Sequence, residues 1–213
     1  MQENQELVRE VRRTGIQSTA GVARVQGELV RKSLHLLIAI VPVLASANLP
    51  ATLALLAFGT LFYAFAESSR MHGSPILVVS DLTVIASRDK DGAGFVLGPV
   101  TLGLGAMISL LLYPEPAASI AIYALAFGDG FAALVGRVVG GPRIPFLQGK
   151  TFSGSLACFA AVFLMAYHVS SRPAESLIIA TVATVLEGVP TGNFDNIIIP
   201  FGVGMVATKL LVL

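Results

Sequence analysis

Residues 33–66 read SLHLLIAIVPVLASANLPATLALLAFGTLFYAFA, with no Asp, Glu, Lys or Arg among them. Asn48-Leu49-Pro50 divides the stretch into two runs. Proline biases the residue before it away from the helix, and this cluster favours a turn. Two apolar helices, 33–49 and 50–66, joined in a tight hairpin, are therefore predicted. Five more apolar runs follow, over 93–113, 117–137, 153–170, 175–189 and 196–213. A membrane crossing takes about 20 apolar residues, with a range near 17–25. The third and fourth runs fit well. The second and sixth are short and need snorkelling ends or local thinning of the bilayer. Tyr113-Pro114-Glu115-Pro116 and Ser171-Arg172-Pro173 supply further breaks.

Composition agrees with this pattern. The 213 residues are 54% hydrophobic and 13% charged, whereas a soluble domain carries about 25% charge. The expected fold is an all-α, polytopic transmembrane bundle of about seven spans. Residues 75–87 are too short to span and carry Asp81, so an interfacial or re-entrant helix is expected there. Residues 1–27 are polar and basic and read as a cytoplasmic tail or an interfacial helix, with residues 28–213 as one membrane-embedded domain. No cleavable signal peptide is expected, because the first apolar run begins only after Arg31 and Lys32. A net charge of +1 supplies no field for nucleic acid. The lone Cys158 cannot form an intrachain disulfide and reads as a small buried hydrophobe.

Placing the N-terminus in the cytoplasm leaves only Arg172 and Lys209, of fourteen basic residues, on the far side. The same topology gathers the unusual residues at the cytoplasmic ends of the helices. Glu28, Arg31, Lys32 and His35 open helix 1; Glu67 and Arg70 close helix 2; Arg88 to Asp91 precede helix 3. Asp129 lies in helix 4, Lys150 and Thr151 just before helix 5, Glu187 at the end of helix 6, and Asp195 and Asn196 at the start of helix 7. Ionisable groups at membrane depth cost a few kcal/mol each and point to function. Carboxylates that hold Mg²⁺, beside Lys and Arg that neutralise phosphate, suit a metal–phosphate substrate.

Each feature also has a plainer reading. Glu28, Arg31, Lys32 and His35, at i, i+3, i+4 and i+7, form one stripe that a snorkelling basic belt would equally explain. Asp129, Ala132, Ala133, Gly136 and Gly140 share a face; helix packing explains the small residues but not the aspartate. Gly149-Lys150-Thr151 is no P-loop, because that pattern needs glycine where Ile144 stands. A lysine and the amides of 151–154 at a helix start still attract phosphate, and a positive-inside anchor is the alternative. Asp195 reads as the N-cap of helix 7, a role compatible with metal binding.

Arg31-Lys32-x-x-His35, Glu67-x-x-Arg70, Gly128-Asp129-x-x-Ala132-x-x-x-Gly136, Lys150-Thr151-Phe152-Ser153-Gly154-Ser155, Glu187, and Asp195-Asn196 with Pro200 together resemble the CTP-dependent lipid kinases. That family includes dolichol, phytol and CTP-dependent diacylglycerol kinases and is related to phosphatidate cytidylyltransferase. The resemblance spans roughly 28–205, in order. It implies a multi-pass membrane enzyme that transfers phosphate from CTP to a lipid alcohol, with Mg²⁺ or another divalent cation, on the cytoplasmic face. By motif position Asp129 binds metal and triphosphate and Lys150 the phosphates, while Asp195 and Asn196 complete the nucleotide–metal site. Arg31, Lys32, Arg70, Gly128, Gly136, Thr151 and Ser153 belong to the same phosphate-binding set. The cytidylyltransferase branch tends to carry glutamate at the place of Ser153, so the sequence looks more like the kinases.

Phosphoryl transfer is mostly positioning and charge neutralisation, and it needs a base for the hydroxyl proton. Glu67, Glu187 and His35 are the candidates. A cytidylyltransferase making CDP-diacylglycerol is the alternative, and a small transporter the remote one, since neither inverted repeats nor polar groups on both faces are evident. Gly136-x-x-x-Gly140 permits a close helix contact, so an oligomer is compatible with the sequence.

Overall fold

The computed structural model describes residues 27, 29–87, 94–145, 147, 149–192 and 194–213. It is all-α, with eight helices among the described residues: α1 Leu29–Ala47, α2 Leu49–Met71, α3 Leu77–Ala86, α4 Gly98–Leu112, α5 Ala117–Val138, α6 Phe152–Ser170, α7 Pro173–Gly188 and α8 Asp195–Leu211. The tail over 1–26, Glu28 and Arg88 to Asp91 lie outside the described residues.

The hairpin between α1 and α2 forms as read. Asn48 ends α1 in an extended conformation and caps α2, its Oδ1 accepting from the Ala51 amide at 2.9 Å. Pro50 sits in the first turn, where its missing N–H costs nothing. The break at 171–173 works similarly. Ser171 takes the left-handed conformation (φ 55°) that closes α6, and Pro173 opens α7. The helix over 75–87 exists as α3. Its Ser80 and Thr83 are buried, while Leu77, Val78 and Val84 are exposed.

Four helices, α1, α2, α5 and α6, are long and apolar enough to cross a membrane. The run at 93–113 yields a helix of only 15 residues, α4, beginning at Gly98. It therefore does not fit the full crossing length read from the sequence. The helices α7 and α8 have 16 and 17 residues. Conversely, α2 continues five residues past Ala66 and so carries Glu67 and Arg70 on its last turn.

Packing explains where the polar groups end up. The central helix is α5, which packs against α6, α7, α8, α1 and α4, while α8 also packs on α4. One core joins Ile120 and Ala124 of α5 to Cys158, Val162, Ile179, Ala183, Ile199 and Val203. A second joins Val41, Leu110, Ala118 and Ile122. The contact residues are mostly small, whereas Phe58, Leu61, Phe65, Leu111, Leu164 and Val185 point outward and are exposed. Large apolar side chains outside and small ones within is the arrangement lipid solvation selects.

Close approach needs glycine at α8. A Cβ on Gly204 would lie 2.2 Å from the Tyr113 ring, whose hydroxyl donates to the Phe201 carbonyl at 2.6 Å. Gly204→Ala is expected to expel the ring and lower stability by about 1–3 kcal/mol, the usual cost of overpacking. Thermal unfolding in detergent reads this directly; an unchanged midpoint would mean the ring has room to move.

Candidate functional site

The centre of the site is a local change in helix geometry that the sequence did not signal. From Ala124 to Asp129, α5 winds as a π-helix, and Asp129 is its last residue. Such insertions are rare and occur often at functional sites. This segment is touched by α6, α7, α8 and the 3₁₀ turn Ile38–Ile40 of α1. Asp129 is thus presented to several helices at once.

Its partners come from α1. Lys32 Nζ donates to Asp129 Oδ2 at 2.5 Å, and His35 Nδ1 stands 3.1 Å from the same oxygen, off the line a hydrogen bond requires. Lys32 is 2% exposed and Asp129 4%. The snorkelling-belt alternative is thereby overturned for Lys32 and His35, because both turn inward to an acid on a distant helix, 97 residues from Lys32. Arg31, on the same helix, is only partly buried.

A second ion pair joins Lys150 Nζ to Glu187 Oε1. Lys150 comes from the connection between α5 and α6. That connection folds back through an antiparallel bridge between Arg143 and Thr151, with the Ile144 amide donating to the Lys150 carbonyl at 2.9 Å. Leu147 packs beside Gly188, setting the loop over the end of α7. Glu187 is buried, and its Oε2 has no hydrogen-bond partner. Cys158, on α6, faces Gly128, the residue before Asp129, and feels the charges of Glu187, Asp129 and Lys150.

The start of α6 differs from a free phosphate cradle. Thr151 is its N-cap, with Oγ1 accepting from the Gly154 amide at 3.2 Å, and the Phe152 amide donates to the Pro142 carbonyl at 3.1 Å. Two of the four amides read as phosphate donors are therefore engaged. Ser153 Oγ donates to the Gly140 carbonyl. The small-residue stripe is a packing seam. A Cβ on Gly136 would lie 2.8 Å from Thr151 Oγ1, and one on Gly154 would lie 2.7 Å from the Ala132 carbonyl. Gly128 faces Val162 and Cys158.

Glu67 belongs to a different construction. Arg70 donates to both of its oxygens, at 2.7 and 2.8 Å, and the Val96 amide donates to Oε1 at 2.9 Å. Arg70 also donates to the Gly94 carbonyl at 3.1 Å. This clamp ties the end of α2 to the approach to α4 and engages both carboxylate oxygens.

Asp195 is the first residue of α8 rather than its N-cap, which is Phe194. Its Oδ1 accepts from the Asn196 amide at 2.9 Å, and its charge suits the positive end of the helix. Asn196 is buried. Its Nδ2 donates to the Gly98 carbonyl at 3.1 Å and to Thr101 Oγ1 at 2.9 Å, and its Oδ1 has no hydrogen-bond partner. Because the Gly98 atom in contact is a carbonyl oxygen, the amide orientation is fixed and an acceptor oxygen is left over. Sequence reasoning missed Thr101, which looks like any small polar residue in an apolar helix. It also missed Gly105, where a Cβ would lie 2.0 Å from the Asn196 carbonyl. That carbonyl would bond the amide of residue 200 in a regular helix, but Pro200 has none.

Among the described residues no group of three or more His, Cys, Asp or Glu is arranged to hold a metal ion. Mg²⁺ does not require one, since one or two carboxylates plus substrate phosphates suffice.

No protein-family model matches the chain, and no solved structure matches it significantly. Curated proteins do. A probable phytol kinase, chloroplastic, of Triticum aestivum is 30% identical over 151 residues, 62% of this chain and 50% of that protein. One from Zea mays is 29% identical over 166 residues, 68% of this chain and 55% of that protein. Phytol kinase 1, chloroplastic, of Arabidopsis thaliana is 26% identical over 148 residues, 61% and 49% respectively. The chain spans about half the length of the curated relatives it matches. Across that shared stretch the chain is homologous to the plant phytol kinases.

Proposed function

We propose that the chain is a membrane-embedded lipid-alcohol kinase, transferring the γ-phosphate of CTP to phytol or a related long-chain alcohol. The phytol kinase homology supports the reaction class. The observation that carries the assignment to this site is the buried cluster of Lys32, His35 and Asp129, together with the Lys150–Glu187 pair. Seven helices, α1, α2 and α4–α8, cross the bilayer, the shorter α4, α7 and α8 with snorkelling ends or local thinning, with α3 at the interface and the N-terminus in the cytoplasm. This orientation rests on the placement of the basic residues, and it puts both ion pairs at the cytoplasmic face, where CTP arrives. The alcohol reaches the same level with its tail still in lipid.

In this reading Lys32 and Lys150 bind triphosphate oxygens, with Arg31 beside them. Asp129, together with Asp195, holds the divalent cation. When bound, that cation neutralises charge developing on the phosphates. Glu187 takes the proton of the lipid hydroxyl through Oε2. The hydroxyl oxygen forms its bond to the γ-phosphorus, the bridging bond to the β-phosphate breaks, and CDP leaves. Glu67 is the poorer base, because Arg70 and the Val96 amide already engage both its oxygens. The Asn196 oxygen is a further acceptor for the nucleotide–metal complex.

The test is purified protein given phytol, other lipid alcohols or phosphatidate, with Mg²⁺ and CTP labelled either at the γ-phosphate or in the cytosine ring. Label from the γ-phosphate alone should enter the lipid. Entry of cytosine label would identify a cytidylyltransferase instead, and entry of neither would remove the assignment.

A further inference from the structure

Two acids of the site, Asp129 and Glu187, already carry a lysine each. Lys32 lies on Asp129, and Lys150 lies on Glu187, so the four formal charges cancel. His35 stands against the Asp129 oxygen that Lys32 occupies. From this arrangement we infer that these two ion pairs are self-neutralised, and that divalent cation and polyphosphate enter only together, by exchange of partners at Lys32 and Asp129. The inference rests on the kinase reading for the identity of the ligand.

A cation arriving alone would meet the Lys32 ammonium, 2.5 Å from Asp129 Oδ2, in a place shielded from water. A polyphosphate arriving alone would find Lys32 already neutralised and would face the Asp129 carboxylate. Either event breaks a buried pair and leaves one charge without compensation, the expensive case. When both arrive, the phosphate takes Lys32 and the cation takes Asp129. Two new pairs then replace the old one, and no buried charge is stranded. The lysine is thus a gate on metal binding as well as a phosphate ligand.

The inference predicts reciprocal uncoupling. Lys32→Met releases the carboxylate, so it should bind Mn²⁺ without nucleotide on the order of tenfold to a hundredfold more tightly than wild type, a usual range for coupling between two ligands. Asp129→Asn releases the lysine, so it should bind inorganic tripolyphosphate in EDTA with a comparable gain. The double variant should show neither gain. Mn²⁺ is followed by electron paramagnetic resonance and tripolyphosphate by calorimetry. Wild-type protein supplies a readout that needs no variant to fold: neither Mn²⁺ nor tripolyphosphate alone should raise its thermal midpoint, whereas the two together should. If wild type binds Mn²⁺ alone as tightly as with tripolyphosphate, or if Lys32→Met shows no gain, the inference is overturned. The kinase reading survives that outcome whenever γ-phosphate still reaches lipid; loss of transfer in wild type would instead remove the reading itself.

Discussion

Asp129→Asn is expected to abolish phosphoryl transfer and also to lower stability. Removing one partner of a buried pair costs about 3–5 kcal/mol, since the other charge is left behind, and Lys32 is almost wholly buried. Loss of activity alone would therefore not separate a chemical role from a folding one. Combining Asp129→Asn with Lys32→Met does. A neutral, well-packed replacement for a buried ion pair is often as stable as the original or more so. The double variant should regain most of the thermal midpoint and still show turnover reduced on the order of 10²–10³-fold or more, the scale on which a lost electrostatic stabiliser acts. Recovery of turnover along with stability would show that the pair serves the fold only.

The second large effect concerns Glu187. Glu187→Gln preserves side-chain shape and can still accept from Lys150, but it removes the proton acceptor. A general base contributes about 10²–10⁴-fold, so kcat should fall by that order while KM for the alcohol changes little. Glu67→Gln offers the contrast. It weakens the double contact with Arg70 that ties α2 to the segment before α4, so the midpoint should drop and the surviving folded enzyme should keep its kcat. If Glu67→Gln instead lost kcat with no change in stability, the two glutamates would have to exchange roles.

Much of this was legible in the residues because lipid imposes simple rules. The apolar runs, the Asn48 turn and the Ser171-Arg172-Pro173 break all sit where a chain must hide its backbone in helices or expose it at the membrane edge. Asp129 stood out for the same reason: an acid in an apolar helix needs a partner. The identity of that partner was not readable. Lys32 and His35 share a stripe with Arg31, and periodicity alone cannot say whether such a stripe faces lipid headgroups or another helix. The π-helical turn at Ala124–Asp129 left no trace, because Ala, Leu, Phe and Gly suit a regular helix equally well. Gly136 and Gly154 were ambiguous for a related reason. A glycine admits either a phosphate or a neighbouring backbone, and here the neighbouring helix fills the space. The Gly154 amide is taken by a local cap from Thr151, but the engagement of the Phe152 amide depends on the Pro142 carbonyl, a fold-back contact that local sequence does not encode.

The most direct test of the account asks whether the loop bearing Lys150 and the turn after Glu187 share one nucleotide-protected face. With Cys158 replaced by alanine, single cysteines are placed at the exposed positions Pro145 and Val189, and at Ala47 in the α1–α2 hairpin. Sealed membranes of each orientation are then treated with an impermeant maleimide. Pro145→Cys and Val189→Cys should react from the same side and be shielded by CTP with Mg²⁺, while Ala47→Cys reacts from the other side unshielded. Reaction of positions 145 and 189 from opposite sides would contradict a single pocket, and with it the proposed site.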